Sequence, residues 1–306
     1  MRSPLGLDPE LMRQLGYRTI DMLVDRAAGP PEPVVRSATP EELRQRLATP
    51  PPENPVAFDE ILEGLERDVL PFVARIGHPG YLAFIPGEGT WPGALGDLIA
   101  SALNIDTCWW LGASGPSTLE LVVLGWLRQW VGYPDEAAGV LVSGGSAANL
   151  TALACAREAR LGVMSETAVV YMSDQTHSSM ARAARALGFR PDQVRVIPTD
   201  GRQRLQVDAL RAAIAADEAG GRKPLAVVAN AGTTATGAVD PLRELSHAAG
   251  PRRASGVSRS PAGVMPDARR PDASSVCREP DGRHLKASPV GLTCRPGGLV
   301  GAETSG

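Results

Sequence analysis

The sequence predicts an α/β fold, a mostly parallel sheet with helices on both faces, preceded by a separate helical segment. Three observations carry this prediction. Between Gly139 and Gly250, short apolar runs alternate with Ala-, Leu- and Arg-rich stretches of helical length, and repeated βα units of that size build parallel sheets covered by helices. Before residue 75 the strand-like runs are missing, and amphipathic pieces with proline-rich joints take their place. Beyond Gly250 neither a period of 2 nor one of 3.6 survives. The chain is accordingly divided into a helical segment at 1–75, a large domain at 76–250 and a low-complexity tail at 251–306.

In the first segment, Leu11, Leu15, Tyr17, Ile20, Met22, Leu23 and Val24 form an apolar stripe that Gly29-Pro30-Pro31 ends. Thr39 with Glu42 three residues on has the spacing of a capping box at a second helix. Pro50-Pro51-Pro52 breaks the chain, and a third helix is predicted over 58–74. Three such pieces need another surface to lie against, in the large domain or in a second subunit. In the large domain, strands are predicted at 139–143, 168–172, 193–197 and 225–229, and helices at 147–161, 178–187 and 207–216. Ligands on sheets of this kind bind beyond the carboxyl ends of the strands, so the loops after Val142, Met172 and Ala229 are the places to search.

The tail has no Phe, Trp, Tyr or Ile and only three Leu. So little apolar surface cannot offset the entropy of ordering, and disorder is predicted. The change falls where the βα pattern demands its next strand, which reads as a frame-shifted or mis-called stretch of a longer gene, with a genuine flexible tail as the alternative.

A net charge of -3 and a pI of about 5.9 leave no footprint for nucleic acid or an anionic membrane. No apolar run reaches the roughly 18 residues of a bilayer span, and the first 15 residues do not read as a secretory signal. The four cysteines form no CxxC pair and fit reduced thiols in a cytoplasm.

The sharpest segment is Ser143-Gly144-Gly145-Ser146-Ala147-Ala148-Asn149-Leu150, at a strand-to-helix turn. Two glycines let the backbone approach an anion, the N–H groups of the following helix point at it, and Ser146 adds a hydroxyl. The same residues also suit a tight turn with a serine cap and no ligand. A Walker-type loop needs a lysine where Gly145 stands, which excludes nucleoside triphosphate binding of that kind. In the second loop, Ser173-Asp174-Gln175-Thr176-His177-Ser178-Ser179, a histidine opens a helix, either to stack on a flat ligand or simply to cap. The third, running from Asn230 through Gly232-Thr233-Thr234 to Gly237, carries small and hydroxyl residues that allow close packing.

Together with His78-Pro-Gly-Tyr-Leu-Ala-Phe, Ser114-Gly-Pro-Ser-Thr-Leu-Glu-Leu and Ala231-Gly-Thr-Thr-Ala-Thr-Gly-Ala-Val-Asp-Pro, these loops resemble the group II decarboxylases of amino acids. These are the aromatic-L-amino-acid, glutamate and tyrosine decarboxylases, which depend on pyridoxal 5'-phosphate (PLP). The resemblance extends over roughly 250 residues and implies the PLP-dependent transferase-like fold, fold type I, and decarboxylation of an L-amino acid to an amine and CO2. It also implies a homodimer clasped through residues 1–75. Gly145, Ser146 and Ala147 match the phosphate-holding positions, and His177 the residue stacked on the pyridine ring. Thr233 and Thr234 match the loop beside the ring, and Asp240 an acidic position near it. Tyr81 and Phe84 match the substrate side, where Trp91, Trp109 and Trp110 fit either the pocket or the core. Other fold type I lyases, carbon–sulfur lyases and aldolases among them, share similar loops. A non-catalytic chain that only dimerises is a further reading.

Two family positions have no counterpart. The chain contains two lysines, Lys223 and Lys286, and neither lies in the Pro-His-Lys-Trp setting of the family's Schiff-base lysine. The family's His-Val-Asp strand, whose carboxylate pairs with the pyridinium nitrogen, is expected just after Gly250 and is not read there.

Overall fold

The computed structural model describes residues 6–29, 33–83, 87–133, 135, 137–161 and 165–249, and the backbone of three short strands beyond them. The chain divides into two compact units, Met1–Ala83 and Phe84–Gly306.

In the first unit, α1 (Pro9–Ala28) is capped by Asp8, whose side chain accepts from the Glu10 amide. The predicted capping box opens α2 (Pro40–Leu47): the Thr39 hydroxyl accepts from the Glu42 amide, and the Glu42 carboxylate accepts from the Thr39 amide at 2.7 Å. The third predicted helix is shorter than its apolar pattern. It stops as α3 (Phe58–Asp68), and a 3-10 turn follows at Leu70–Phe72, because Pro71 has no amide to continue the ladder. Leu11, Tyr17, Leu23 and Val24 of the α1 stripe are exposed.

The second unit begins with two helices that the strand–helix pattern did not mark. Thr90 caps α4 (Trp91–Ala102) by accepting from the Gly93 amide. In α5 (Trp110–Trp130) the backbone leaves helical geometry at Ala113, three residues before Pro116, where proline removes one rung and crowds the preceding turn. Trp91, Trp109 and Trp110 are all exposed, so the core alternative for them fails within this chain.

The sheet follows the predicted alternation. After α6 (Gly145–Leu161) come β1 (Ala168–Ser173), α7 (Ser179–Ala186), β2 (Val194–Ile197), α8 (Val207–Ala219), β3 (Lys223–Asn230) and α9 (Leu242–Ala249). With β4 (Ala254–Ser258) the strand order is β2-β1-β3-β4, and every pairing in this sheet is parallel. Side chains alternate along a strand, and β1 shows the consequence. Ala168, Val170 and Met172 pack with Leu153 of α6 and Met180, Ala183 and Ala184 of α7. Val169 and Tyr171 pack on the other face with Leu210 and Ile214 of α8 and Leu245 and Ala249 of α9. The polar end of Tyr171 on that face is satisfied: its hydroxyl donates to Asp217 at 2.9 Å, and Arg195 clamps the same carboxylate at 2.6 and 3.0 Å.

Two expectations are corrected. Residues 139–143 form no strand, and Leu141 and Val142 are exposed. A strand needs a neighbour with free amides and carbonyls, and none of the described strands pairs with this one. Conversely, part of the tail predicted to be disordered is a strand. Residues Ala254–Ser258 form β4 and extend the sheet from β3, with Asn230 opposite Ser258. Its text, Ala-Ser-Gly-Val-Ser, has a single bulky apolar residue, so the pairing edge of β3 rather than strand propensity accounts for it. A two-stranded ladder joins Cys277–Arg278 to His284–Leu285. The predicted disorder of the remaining tail lies outside the described residues.

Candidate cofactor site

Because all four strands run the same way, the ends of β1 and β3 open onto one edge, and that edge carries the three loops singled out above. The first is the entry to α6. Gly144 has φ +152°, a backbone setting that side-chain-bearing residues rarely adopt, and the helix starts at the next residue. The amides of Gly145, Ser146 and Ala147 therefore fall in the first helical turn, where N–H groups have no partner within the helix. The cradle is open: Gly145 and Ser146 are exposed, and a Cβ built on Gly144 or Gly145 meets nothing within 4 Å. Behind it, the Glu120 carboxylate of α5 accepts from the Leu141 amide at 2.9 Å and holds the approach to the turn.

The second loop is tied to the first through a link that the sequence did not reveal. Asn149, one turn into α6, donates from Nδ2 to the Ser179 hydroxyl at 2.8 Å, and that hydroxyl lies 2.8 Å from His177 Nδ1. Ser179 is buried while His177 is exposed, so the ring is anchored from below and open above. Thr176 folds back on its own strand, where its hydroxyl accepts from the Ser173 amide at 3.0 Å.

The third loop is fastened by Asn230 and Asp240. Asn230 Nδ2 reaches Ser173 Oγ at 3.1 Å, Thr176 Oγ1 at 3.3 Å and Asp240 Oδ2 at 2.9 Å. Asp240 is itself buried. It accepts from the Asn230 amide at 2.6 Å and from the Leu205 amide at 2.7 Å, so its carboxylate is spent on fixing the end of β3. Thr233 is also buried and used within its turn, with Thr236 Oγ1 at 2.6 Å and the amides of Thr236 and Ala238 donating to it. Gly232, at φ +109°, makes that turn possible. Thr234 is half-buried beside it.

The edge thus gathers Gly145, Ser146, Ala147, His177, Thr233 and Thr234, with Asp240 beneath them as a fastener. Tyr81 belongs to the other unit, where its amide donates to the His78 carbonyl at 2.8 Å. Phe84 lies outside the described residues. Lys223 is the first residue of β3, exposed at the opposite end of the strand from these loops; Lys286 lies outside the described residues. Asn149, Ser179 and Asn230 were within the quoted motifs but carried no assigned role. Their partners are 30 and 57 residues away in sequence, and no local spacing signals such a pairing.

Fold and site together define the class, fold type I of the PLP-dependent α/β proteins. Residues 40–250 match the model described as the pyridoxal-dependent decarboxylase conserved domain, and the chain belongs to that family. It is 43% identical over 247 residues to an aromatic-L-amino-acid decarboxylase of Bacillus atrophaeus, covering 80% of this chain and 52% of that relative. It is 33% identical over 256 residues to a tyrosine decarboxylase of Papaver somniferum, covering 78% and 50%. Among solved structures, the Oryza sativa TDC with PLP and tryptamine superposes with a TM-score of 0.77 at 29% identity, covering 84% of this chain and 56% of that one. The chain spans about half the length of these relatives.

Proposed function

We propose that this chain carries the cofactor-holding loops of a PLP-dependent amino acid decarboxylase without the covalent tether, so that it holds PLP weakly and decarboxylates little. The observation that carries the reading is the joined edge. An open glycine-led helix start and an exposed histidine ring are linked through Asn149 and Ser179, while Lys223 stands at the far end of its strand.

The residues fit the group. The amides of Gly145, Ser146 and Ala147, with the Ser146 hydroxyl, suit a phosphate dianion, since a helix start combines free donors with a favourable dipole. His177 would stack on the ring, and the turn at Thr233 and Thr234 would lie beside it. When bound, PLP supplies a conjugated ring that takes up the electrons left as a carboxylate departs as CO2. In the family an aspartate on the strand after α9 keeps the ring nitrogen protonated. Here that strand reads Ala-Ser-Gly-Val-Ser, with no carboxylate, and no His-Lys pair occurs anywhere in the chain.

The substrate is an L-amino acid. Aromatic ones are the first to test, because aromatic-L-amino-acid and tyrosine decarboxylases are the names of its relatives. By the resemblance alone, Tyr81 and Phe84 are proposed as substrate-side residues. Pairing of two chains through residues 1–75, supported by the exposed apolar side chains of α1, and a cytoplasmic location complete the proposal. No helix among the described residues is long and apolar enough to cross a membrane.

Titration with PLP and with pyridoxal, which lacks the phosphate, tests the cup. Binding of PLP with much weaker binding of pyridoxal is expected, and lost on Ser146→Asp, which sets a carboxylate against the phosphate. Equal affinity for the two ligands overturns the assignment. Release of CO2 from L-tryptophan or L-tyrosine at rates typical of enzymes, roughly 1 per second or more, overturns the predicted impairment.

A further inference from the structure

We infer that Asn149 and Ser179 are positioning residues that lock His177 into one neutral tautomer, with the proton on Nε2. The inference deepens the PLP reading, since it concerns the ring assigned to stack on the cofactor, but it rests on hydrogen-bond directions within the chain itself.

The direction follows from donors that cannot reverse. A backbone N–H only donates, and the Ser179 amide donates to His177 Nδ1 at 3.3 Å, so Nδ1 presents its lone pair. The Ser179 hydroxyl, 2.8 Å from the same nitrogen, must then donate as well. Having used its hydrogen, that hydroxyl has only lone pairs left, and it accepts from Asn149 Nδ2 at 2.8 Å. The relay is consistent at each atom: amide to hydroxyl, hydroxyl to ring. Reversing the Asn149 amide sets its oxygen against a hydroxyl already committed elsewhere, so the orientation of Asn149 is fixed by the same chain.

The local architecture explains why this works. Ser179 is the first residue of α7, and Ser178 provides no side-chain cap. The Ser179 amide is therefore one of the helix's unpartnered donors, and the His177 ring takes the capping role. The anchor, Ser179, is 2% exposed, where water competes little for its hydroxyl. No described residue pairs with His177 Nε2. The ring accordingly offers one N–H on its open edge, which suits an acceptor and refuses a donor. A histidine on a loop without this anchor exchanges between tautomers and turns about its side-chain bonds. Here both freedoms are removed before any ligand arrives.

Long-range proton–nitrogen NMR of the chain labelled in its four histidines tests the inference without cofactor, with His177→Asn identifying the signal. At a pH where the ring is neutral, the expected wild-type pattern is that of the Nε2–H form, with Nδ1 unprotonated. Ser179→Ala and Asn149→Ala are expected to move the signal toward a tautomer mixture, whereas Ser179→Thr, which keeps the hydroxyl, restores it. An Nδ1–H pattern in the wild type, or an unchanged pattern in both alanine variants, overturns the inference. If Ser179→Ala fails to fold, judged by circular dichroism, Asn149→Ala and Ser179→Thr decide. Adding PLP to the same sample separates the two readings. A locked tautomer whose signals ignore PLP sinks the cofactor role of His177 and leaves the relay standing.

Discussion

The sheet region at 165–249 and the helices at 91–130 are both rich in apolar residues, yet they use them in opposite ways. All six residues of β1 are buried. Of the 21 residues of α5, only Ala113 and Leu124 are. The five tryptophans, at 91, 109, 110, 126 and 130, all lie in the helical region and all are exposed. Apolar content does not make a core by itself. In the sheet region, the strand alternation sends residues to two faces, and each face has its own pair of helices to receive them. The helical region exposes Leu98, Leu111, Leu119 and Leu121 without such a cover. In the proposed dimer a second chain is available to meet surfaces of this kind.

The largest expected effect is at the fastener of the cofactor edge. Asp240→Ala strips three donors of their acceptor in a buried setting and is expected to cost about 3 kcal/mol or more in urea unfolding. A neutral result removes Asp240 from the account of how the third loop is held. The comparison itself is tested by a matched pair of truncations. Leu210→Ala, at a fully buried site, is expected to cost about 3 kcal/mol, whereas Leu119→Ala, 62% exposed, is expected to stay within about 0.5 kcal/mol. Equal losses at the two sites show that the helices of the 91–130 region are covered in solution.

Acid sharpens the contrast further. Hydrogen bonds from Arg195 hold the Asp217 carboxyl below its ordinary 3.8. Arg222 and Arg204 bring Asp192 and Asp200 down to about 2. Groups depressed in the folded state bind fewer protons there than in the unfolded chain. Their contribution is whole above about pH 4 and is lost as pH falls toward 2. Unfolding midpoints followed over that window are expected to drop, and Asp217→Asn is expected to flatten the slope; an unaltered slope contradicts the role given to Arg195. The smallest effect is optical. Acrylamide is expected to quench tryptophan emission readily in dilute protein and less so as concentration rises and chains pair. Quenching that ignores concentration counts against pairing that covers the tryptophans.

The sheet was legible in sequence because each strand from 168 to 230 is bounded by turn residues and followed by a helix of ordinary length. Residues 139–143 misled because an apolar run states a capacity for pairing, while a ladder needs a neighbour, and none of the described strands supplies it. β4 was missed for the converse reason, since its pairing with β3 outweighs its poor composition. α5 was hidden by glycines and Pro116, which disturb the 3.6 period that marks a helix. At the site, Gly144-Gly145-Ser146 was marked by its glycines ahead of a helix, although no strand leads into it, and His177 by its place beyond the end of β1. Asn149, Ser179 and Asn230 could not, because what matters about them is which distant side chain they meet. Asp240 was assigned to the cofactor's neighbourhood from the resemblance. Its carboxylate accepts from the amides of Leu205 and Asn230 and from Asn230 Nδ2, contacts that no local spacing signals.

Borohydride reduction of the chain with stoichiometric PLP, followed by intact-mass measurement and peptide mapping, bears most directly on a cup without a tether. The expected result is reversible binding with the chain's mass unchanged after reduction. A pyridoxyl group fixed stoichiometrically on Lys223 or Lys286, in protein that turns over an amino acid, contradicts the account.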